Sequence, residues 1–209
     1  MLPKSYDGQD CSLARALEVV GERWTLLVLR DAFYGIRHFS DFQTHLGAPR
    51  AVLSERLRTL VEHGLLTRRP DPGQPSRPVY ALTDKGRALW PALHALRSWG
   101  EQHAPAPGGP RRVFVHDSCG GELDATSVCG TCRQQVGPEQ VLASPGPGLN
   151  PGLGQDAVST ALTRPHRLGQ PLTVLAAAPH PTRPRPTTQA DVRPTPPEAI
   201  GPHRLTRVP

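Results

Sequence analysis

A chain of 209 residues suffices for one or two small domains, but 37% hydrophobic residues with 25 Pro and 20 Gly predicts an ordered part joined to an unfolded part. The formal charge of +6 and a pI near 9.7 favour an anionic partner, although so modest a charge also serves solubility alone. No apolar run approaches the ~20 residues that span a bilayer, and the opening stretch MLPKSYDGQDCSLAR lacks a signal-peptide pattern, so a cytoplasmic protein is expected. In that reducing compartment the four cysteines read as metal ligands or redox groups before disulfides.

In chain order, residues 11–20 predict a helix with Leu13, Leu17 and Val20 on one buried face. Residues 22–34 follow as a helix apolar almost all round, as a central core helix is, and Gly35 ends it. Phe39, Phe42 and Leu46 mark a short helix over 38–46, with a turn at Gly47 and Ala48. Pro49 opens a helix over 49–63 that carries Leu53, Leu57, Leu60 and Val61 at helical spacing and stops at Gly64. Residues 65–69 and 79–83 are strand candidates around a loop crowded with Pro and Gly. Thr83 caps a long helix through about 103, which Pro91 should kink or restart. Helix, helix, helix, turn, helix, hairpin, helix is a winged helix-turn-helix, an α+β fold that is mainly α.

That layout predicts DNA binding. With its leucines in the core, the 49–63 helix turns Arg50, Ala51, Ser54, Glu55 and Arg58 towards solvent, and Arg50 lies in the first turn, where a recognition helix meets base edges. Arg pairs bidentately with guanine, and Ser reaches bases or phosphates. A merely solvated helix face is the bland alternative. The wing at 68–79 adds Arg68, Arg69 and Arg77 around a flexible loop, and Arg37 precedes the third helix at a place suited to a phosphate. Catalysis is not expected.

Four motifs then carry a resemblance. CSLARALEVVGERWTLLVLR (11–30), RHFSDF (37–42), VLSERL (52–57) and YALTDKG (80–86) resemble, in order and spacing, the signatures of the HxlR family of MarR-like regulators. The likeness covers about residues 11–100. It implies a homodimeric winged helix acting as a repressor or activator at a near-palindromic operator, with repression favoured. Ala51 departs from the pattern, since relatives often carry Asn there, and operator preference is expected to differ accordingly. The first helix and Leu89, Leu93, Leu96 and Trp99 are expected to form the dimer interface. The resemblance also implies a redox or electrophile sensor at Cys11, where a helix amino terminus lowers a thiol pKa; a half-buried packing residue is the competing reading.

Beyond this first region (1–104) lies a small segment of zinc-ribbon-like spacing at 111–142, His116-x2-Cys119 followed by Cys129-x2-Cys132. Two close pairs, each on a tight turn, converge on one ion, and three sulfurs with one imidazole make a closed tetrahedral shell for structural zinc. Asp117 competes with His116 for the fourth place, and a loop of reduced, unliganded thiols is the alternative. A zinc hydrolase or deaminase would need an open ligand position and a Glu acid/base in a His-x-Glu motif; Glu122 is nearby, but that motif is absent. A pure protein-interaction module is the other rival, opposed by the arginines of helix and wing.

From 143 to 209 the composition changes: 14 of the 25 prolines and no Trp, Tyr, Phe or Cys. Such a segment is expected to be a disordered tail, unable to bury enough apolar surface to offset its ordering entropy. Its seven Arg against three acids would attract DNA weakly, if it acts at all.

Overall fold

The computed structural model describes residues 5–150 and 152–172. Its first part has the expected element order: α1 Ser12–Val20, α2 Thr25–Phe33, α3 Phe39–Leu46, α4 Arg50–Glu62, the antiparallel hairpin β1 Leu66–Pro70 and β2 Pro78–Leu82, then α5 Asp84–Arg87 and α6 Trp90–His103. Helix α2 is the centre, with Val28, Leu29, Ala32 and Phe33 buried. Packed around it are Phe42 of α3, Leu53, Leu57 and Leu60 of α4, and Leu65, Leu66, Tyr80 and Leu82 of the hairpin. Asp31, fully buried on α2, holds Arg30 and accepts from His45 Nδ1 at 2.8 Å, which ties α2 to α3. Among the described residues no helix is long and apolar enough to cross a membrane.

One expectation about these helices needs correction, and the restart expected at Pro91 is seen. Leu13 and Leu17 of α1 are not buried but 65% and 39% exposed, whereas Ala14 is buried. Periodicity reports that a helix is amphipathic; it does not say which molecule covers the apolar face. The predicted helix 83–103 is two helices. Thr83 does cap the first, its Oγ1 accepting from Gly86 N at 3.0 Å. Pro91, which lacks an N–H, lies in the first turn of the second, where none is needed.

Beyond α6 the chain forms an antiparallel sheet of β3 Arg112–His116, β4 Val141–Pro145 and β5 His166–Arg167, in that order. Between β4 and β5 lies the short helix α7 Ala157–Ala161, capped by Asp156, whose Oδ1 accepts from Val158 N and Ser159 N at 2.9 Å. The tail expected from 143 onwards therefore does not begin there. Ala143, Val158, Leu162 and Leu168 are buried in the same core as the helices. This segment needs no core of its own because it docks on one already built. Helix α7 packs on α3, Gly169 N donates to Phe33 O at 2.7 Å, and Leu172 N donates to Gly35 O at 2.9 Å. Gly35 permits that approach: its φ is +86°, and a Cβ would lie 1.8 Å from Gln170 O. The rest of the predicted tail, residues 151 and 173–209, lies outside the described residues.

Trp90 joins the two parts. Its ring lies 5.5 Å from Phe33, 5.9 Å from Phe114 of β3 and 4.9 Å from His94. His94 Nε2 is 2.9 Å from the carbonyl of Asp124. Desolvation, with a contribution from Arg97, pushes the His94 pKa down to about 4 from an ordinary 6.5. The folded state thus prefers the neutral ring, so stability is complete above about pH 6.5 and is lost as pH falls towards 4. Urea titrations at pH 7 and pH 4 should show wild type losing on the order of 3 kcal/mol more than His94→Gln across that window. Equal losses would remove His94 from the account. Both proteins share the other acid-sensitive groups, so the difference isolates this ring.

Candidate DNA-binding face and metal centre

Helix α4 starts after Pro49 and buries Leu53, Leu57 and Leu60 on one face, so the opposite face turns outward. Arg50, Ala51, Ser54 and Arg58 are exposed, and Glu55 is half-buried. The cations on this face differ. Arg58 is bracketed by Glu55 at 2.6 Å and Glu62 at 3.0 Å, and these hydrogen-bonded carboxylates, Glu55 first, raise its pKa further. Much of its charge is answered within the helix. Arg50, at the opposite end, lies over the Phe39 ring at 5.0 Å, which holds its guanidinium against the start of α3.

The wing is tied to the same place. Arg77 Nη2 donates to Ser40 Oγ at 2.9 Å and Nη1 to Gln74 Oε1 at 3.3 Å. His38 lies 3.3 Å from Asp71, and Tyr80 N donates to Arg37 O at 2.8 Å. Arg77 is thus a braced cation rather than the loose one its loop suggested. Arg68 pairs with Tyr80 and Arg69 with Val79, so as strand neighbours they reach opposite sides of the wing. Arg69 and Arg37 meet beside Arg87, Gly169 and Pro171 around a cavity of about 200 Å³. Four of these arginines hence fall into two groups, Arg50 with Arg77 near the start of α3 and Arg37 with Arg69 beside the docked segment, while Arg58 is held by its own helix and Arg68 lies on the other side of the wing. Sequence reasoning missed Ser40 and Phe39, which position those cations. Their place at the start of a helix was a signal, but their partners lie 11 and 37 residues away.

The second centre is compact. The ligand atoms of His116, Cys119, Cys129 and Cys132 all lie within 4.8 Å of one another. His116 Nδ1 is 3.2 Å from Cys132 Sγ and 3.5 Å from Cys119 Sγ, and Cys119 Sγ is 3.4 Å from Cys129 Sγ. A tetrahedral zinc with its usual bond lengths separates such atoms by about 3.5–3.8 Å, so the residues fit the ion. His116 Nε2 meets Ser118 Oγ at 3.1 Å, the kind of partner that fixes a ligating ring. Asp117 is not in the group; it pairs with Arg167 instead.

Local backbone prepares the sulfurs. Cys129 is lowered to about 6 by the N–H of Cys132, with that of Thr131 helping. Cys119 takes the Gly121 N–H, which works downward, yet the proton shared with Cys129 and desolvation outweigh it and its pKa is raised. Gly120 has φ +72°, and a Cβ on Gly121 would lie 2.5 Å from Cys129 Sγ. Cys129 is fully buried, while Cys119 and Cys132 are exposed. With four protein ligands the shell is closed, leaving no position for a catalytic water. Cys11 is the exposed residue preceding α1 and stands outside this group.

Comparison with known proteins agrees with the fold. The model of the HxlR-like helix-turn-helix family matches residues 19–107. An HTH-type transcriptional regulator of Mycobacterium tuberculosis, Rv3095, is 44% identical over 148 residues, covering 71% of this chain and 92% of that one. The Bacillus subtilis HTH-type regulator YvaP is 35% identical over 89 residues, 42% of this chain and 82% of its own. Among solved structures, PA1607, described as a candidate transcription factor, is 38% identical with a TM-score of 0.53, covering 65% of this chain and 94% of that one. Proteins of this kind regulate transcription and are not enzymes. The chain belongs to the HxlR-like helix-turn-helix family of DNA-binding transcriptional regulators.

Proposed function

We propose that the chain is a sequence-specific repressor in the cytoplasm that binds a near-palindromic operator as a homodimer. The observation carrying this reading is the convergence of Arg50 on α4 and Arg77 from the wing at the start of α3. Arg50 has the first-turn position from which a guanidinium reaches guanine, with Ala51 and Ser54 beside it. Arg77, Arg37, Arg68 and Arg69 supply backbone contacts, while Glu55 holds Arg58. Two such faces a helical turn apart cover an operator and exclude polymerase from it.

Support for the dimer comes from the apolar surface that the chain leaves uncovered. Leu13 and Leu17 of α1 and Leu96 and Trp99 of α6 are all exposed, with Leu89 and Leu93 partly buried beneath. Together they exceed the scattered apolar residues of an ordinary surface. The His116, Cys119, Cys129 and Cys132 cluster holds structural zinc, on the strength of its distances and donor set. A thiol-sensing role for Cys11 has one observation in its favour, the exposure of that thiol at the start of α1, a helix of the dimer surface.

Selection of bound duplexes from a random pool tests the reading. It should return two inverted half-sites one helical turn apart. A pool that stays unenriched, or a partner protein recovered in place of DNA, would favour an interaction module.

A further inference from the structure

The cavity of about 200 Å³ beside the docked segment lies between the wing, the turn before α3, and α5, and three arginines line it: Arg37, Arg69 and Arg87. Among the described residues no carboxylate lines it. Neither Arg37 nor Arg69 has a carboxylate within ion-pair distance among those residues, and Arg87 reaches only Asp84, at 3.8 Å and fully exposed. Asp71 of the wing loop pairs with His38 instead. Three like charges gathered round one hollow repel one another, so the place favours an anion.

The hollow is built from distant parts of the chain. Arg69 pairs with Val79 and Thr67 with Ala81, so Arg69 and Ala81 share one face of the wing. Residues 37 and 38 run along the other edge of β2, where His38 bridges to Val79 and Tyr80 N donates to Arg37 O at 2.8 Å. Gly169 and Pro171 of the docked segment close the remaining wall. A Cβ on Gly169, whose φ is +72°, would lie 3.7 Å from Arg87 Nη1, so that guanidinium rests against the segment. Just past Arg37 is the start of α3, where Arg77 meets Ser40 and Arg50 covers Phe39. The cavity therefore adjoins the proposed DNA face.

We propose that this cavity seats one backbone phosphate of the bound duplex, held by Arg37, Arg69 and Arg87. The proposal rests on the operator-binding reading and adds to it a third cation, from α5, and a role for the docked segment, which walls the phosphate in. A guanidinium fork donates two parallel N–H groups to phosphate oxygens, which a point charge does not. The volume is below the roughly 300–1,000 Å³ of sites for drug-sized ligands, so the hollow takes a single anionic group of a larger partner or a small free anion. Inorganic phosphate shares this chemistry, but continuity with Arg50 and Arg77 favours the diester of a duplex. A phosphate contact carries no sequence information, so the site strengthens binding to operator and scrambled DNA alike.

Affinity of the full chain for operator and scrambled duplexes over a salt series tests the proposal. Arg87→Gln should lose about ten-fold on both duplexes, and its slope of log K against log salt should fall by about one. Ala81→Glu, which sets a carboxylate on the face of Arg69, should lose as much, whereas the uncharged Ala81→Gln should lose less. That pair decides the matter if Arg87→Gln fails to fold. Among operators carrying a neutral methylphosphonate at successive positions, one position per half-site should weaken wild type yet leave Arg87→Gln unchanged. Unaltered affinity and slope in both Arg87→Gln and Ala81→Glu, with wild type still preferring its operator, would overturn the phosphate site and spare the operator reading. Saturable calorimetric binding of inorganic phosphate that Arg87→Gln abolishes, with its DNA affinity intact, would give the cavity to a free anion and overturn the assignment. Failure of wild type to bind any duplex would remove the operator reading and this site with it.

Discussion

Cys129→Ser protein is expected to carry no zinc where the wild-type chain carries about one equivalent by elemental analysis. Cys129 is the buried member of the cluster, and two backbone N–H groups already favour its thiolate. Cys119→Ser and Cys132→Ser should also empty the site, since each removes one of only three sulfurs. His116→Ala should weaken it less if water takes the vacated position. Cys11→Ser should leave the metal in place, because Cys11 is outside the group. The effect should also spread beyond the ribbon. Cys129 and Phe114 belong to the core that contains Trp90, and Asp124 holds His94 of α6. Chelation should accordingly raise hydrogen exchange over 113–136 and in the α6 turn around His94. Normal zinc content in Cys129→Ser would refute the metal assignment. Metal-free wild type with full protection of that segment would do so equally.

A chain ending at residue 142 is expected to be far less stable than one ending at 172. The shorter chain loses Val158, Leu162 and Leu168, all but completely buried, together with the last three residues of β4 and all of β5. At roughly 1.5–3 kcal/mol for each such side chain, the loss is on the order of 5 kcal/mol or more, against about 5–15 kcal/mol for a whole domain. The shorter chain should melt without cooperativity or fail to fold, while the longer one melts as a unit. Equal melting temperatures would mean that residues 143–172 contribute nothing to the core.

The helices of the first hundred residues were legible because their buried positions recur every three or four residues. Leu53, Leu57 and Leu60 define α4 without help from any other element. The ribbon was legible for a different reason, since paired Cys and His at fixed spacing are uncommon unless they converge. The docked segment was not legible. Its buried residues are few and widely spaced, and what they rest on, α3 and the carbonyls of Phe33 and Gly35, lies over a hundred residues earlier. Composition alone therefore read 143–172 as unfolded. Exposure of Leu13 and Leu17 was hidden for the same kind of reason, because an apolar stripe looks alike whether its own core or a second molecule covers it. Nor does any local pattern link Arg77 to Ser40, or Asp31 to His45.

The central claim is that this chain reads sequence through α4, and one measurement tests it most directly. Binding of the wild-type chain and of Arg50→Ala to the selected operator and to a scrambled duplex should be compared over a series of salt concentrations. Wild type should prefer the operator, with log K falling steeply against log salt on both duplexes. Arg50→Ala should lose about 1–3 kcal/mol on the operator, with relaxed preference at one base pair and little change on the scrambled duplex. Equal affinity of wild type for operator and scrambled DNA at every salt concentration would contradict the account.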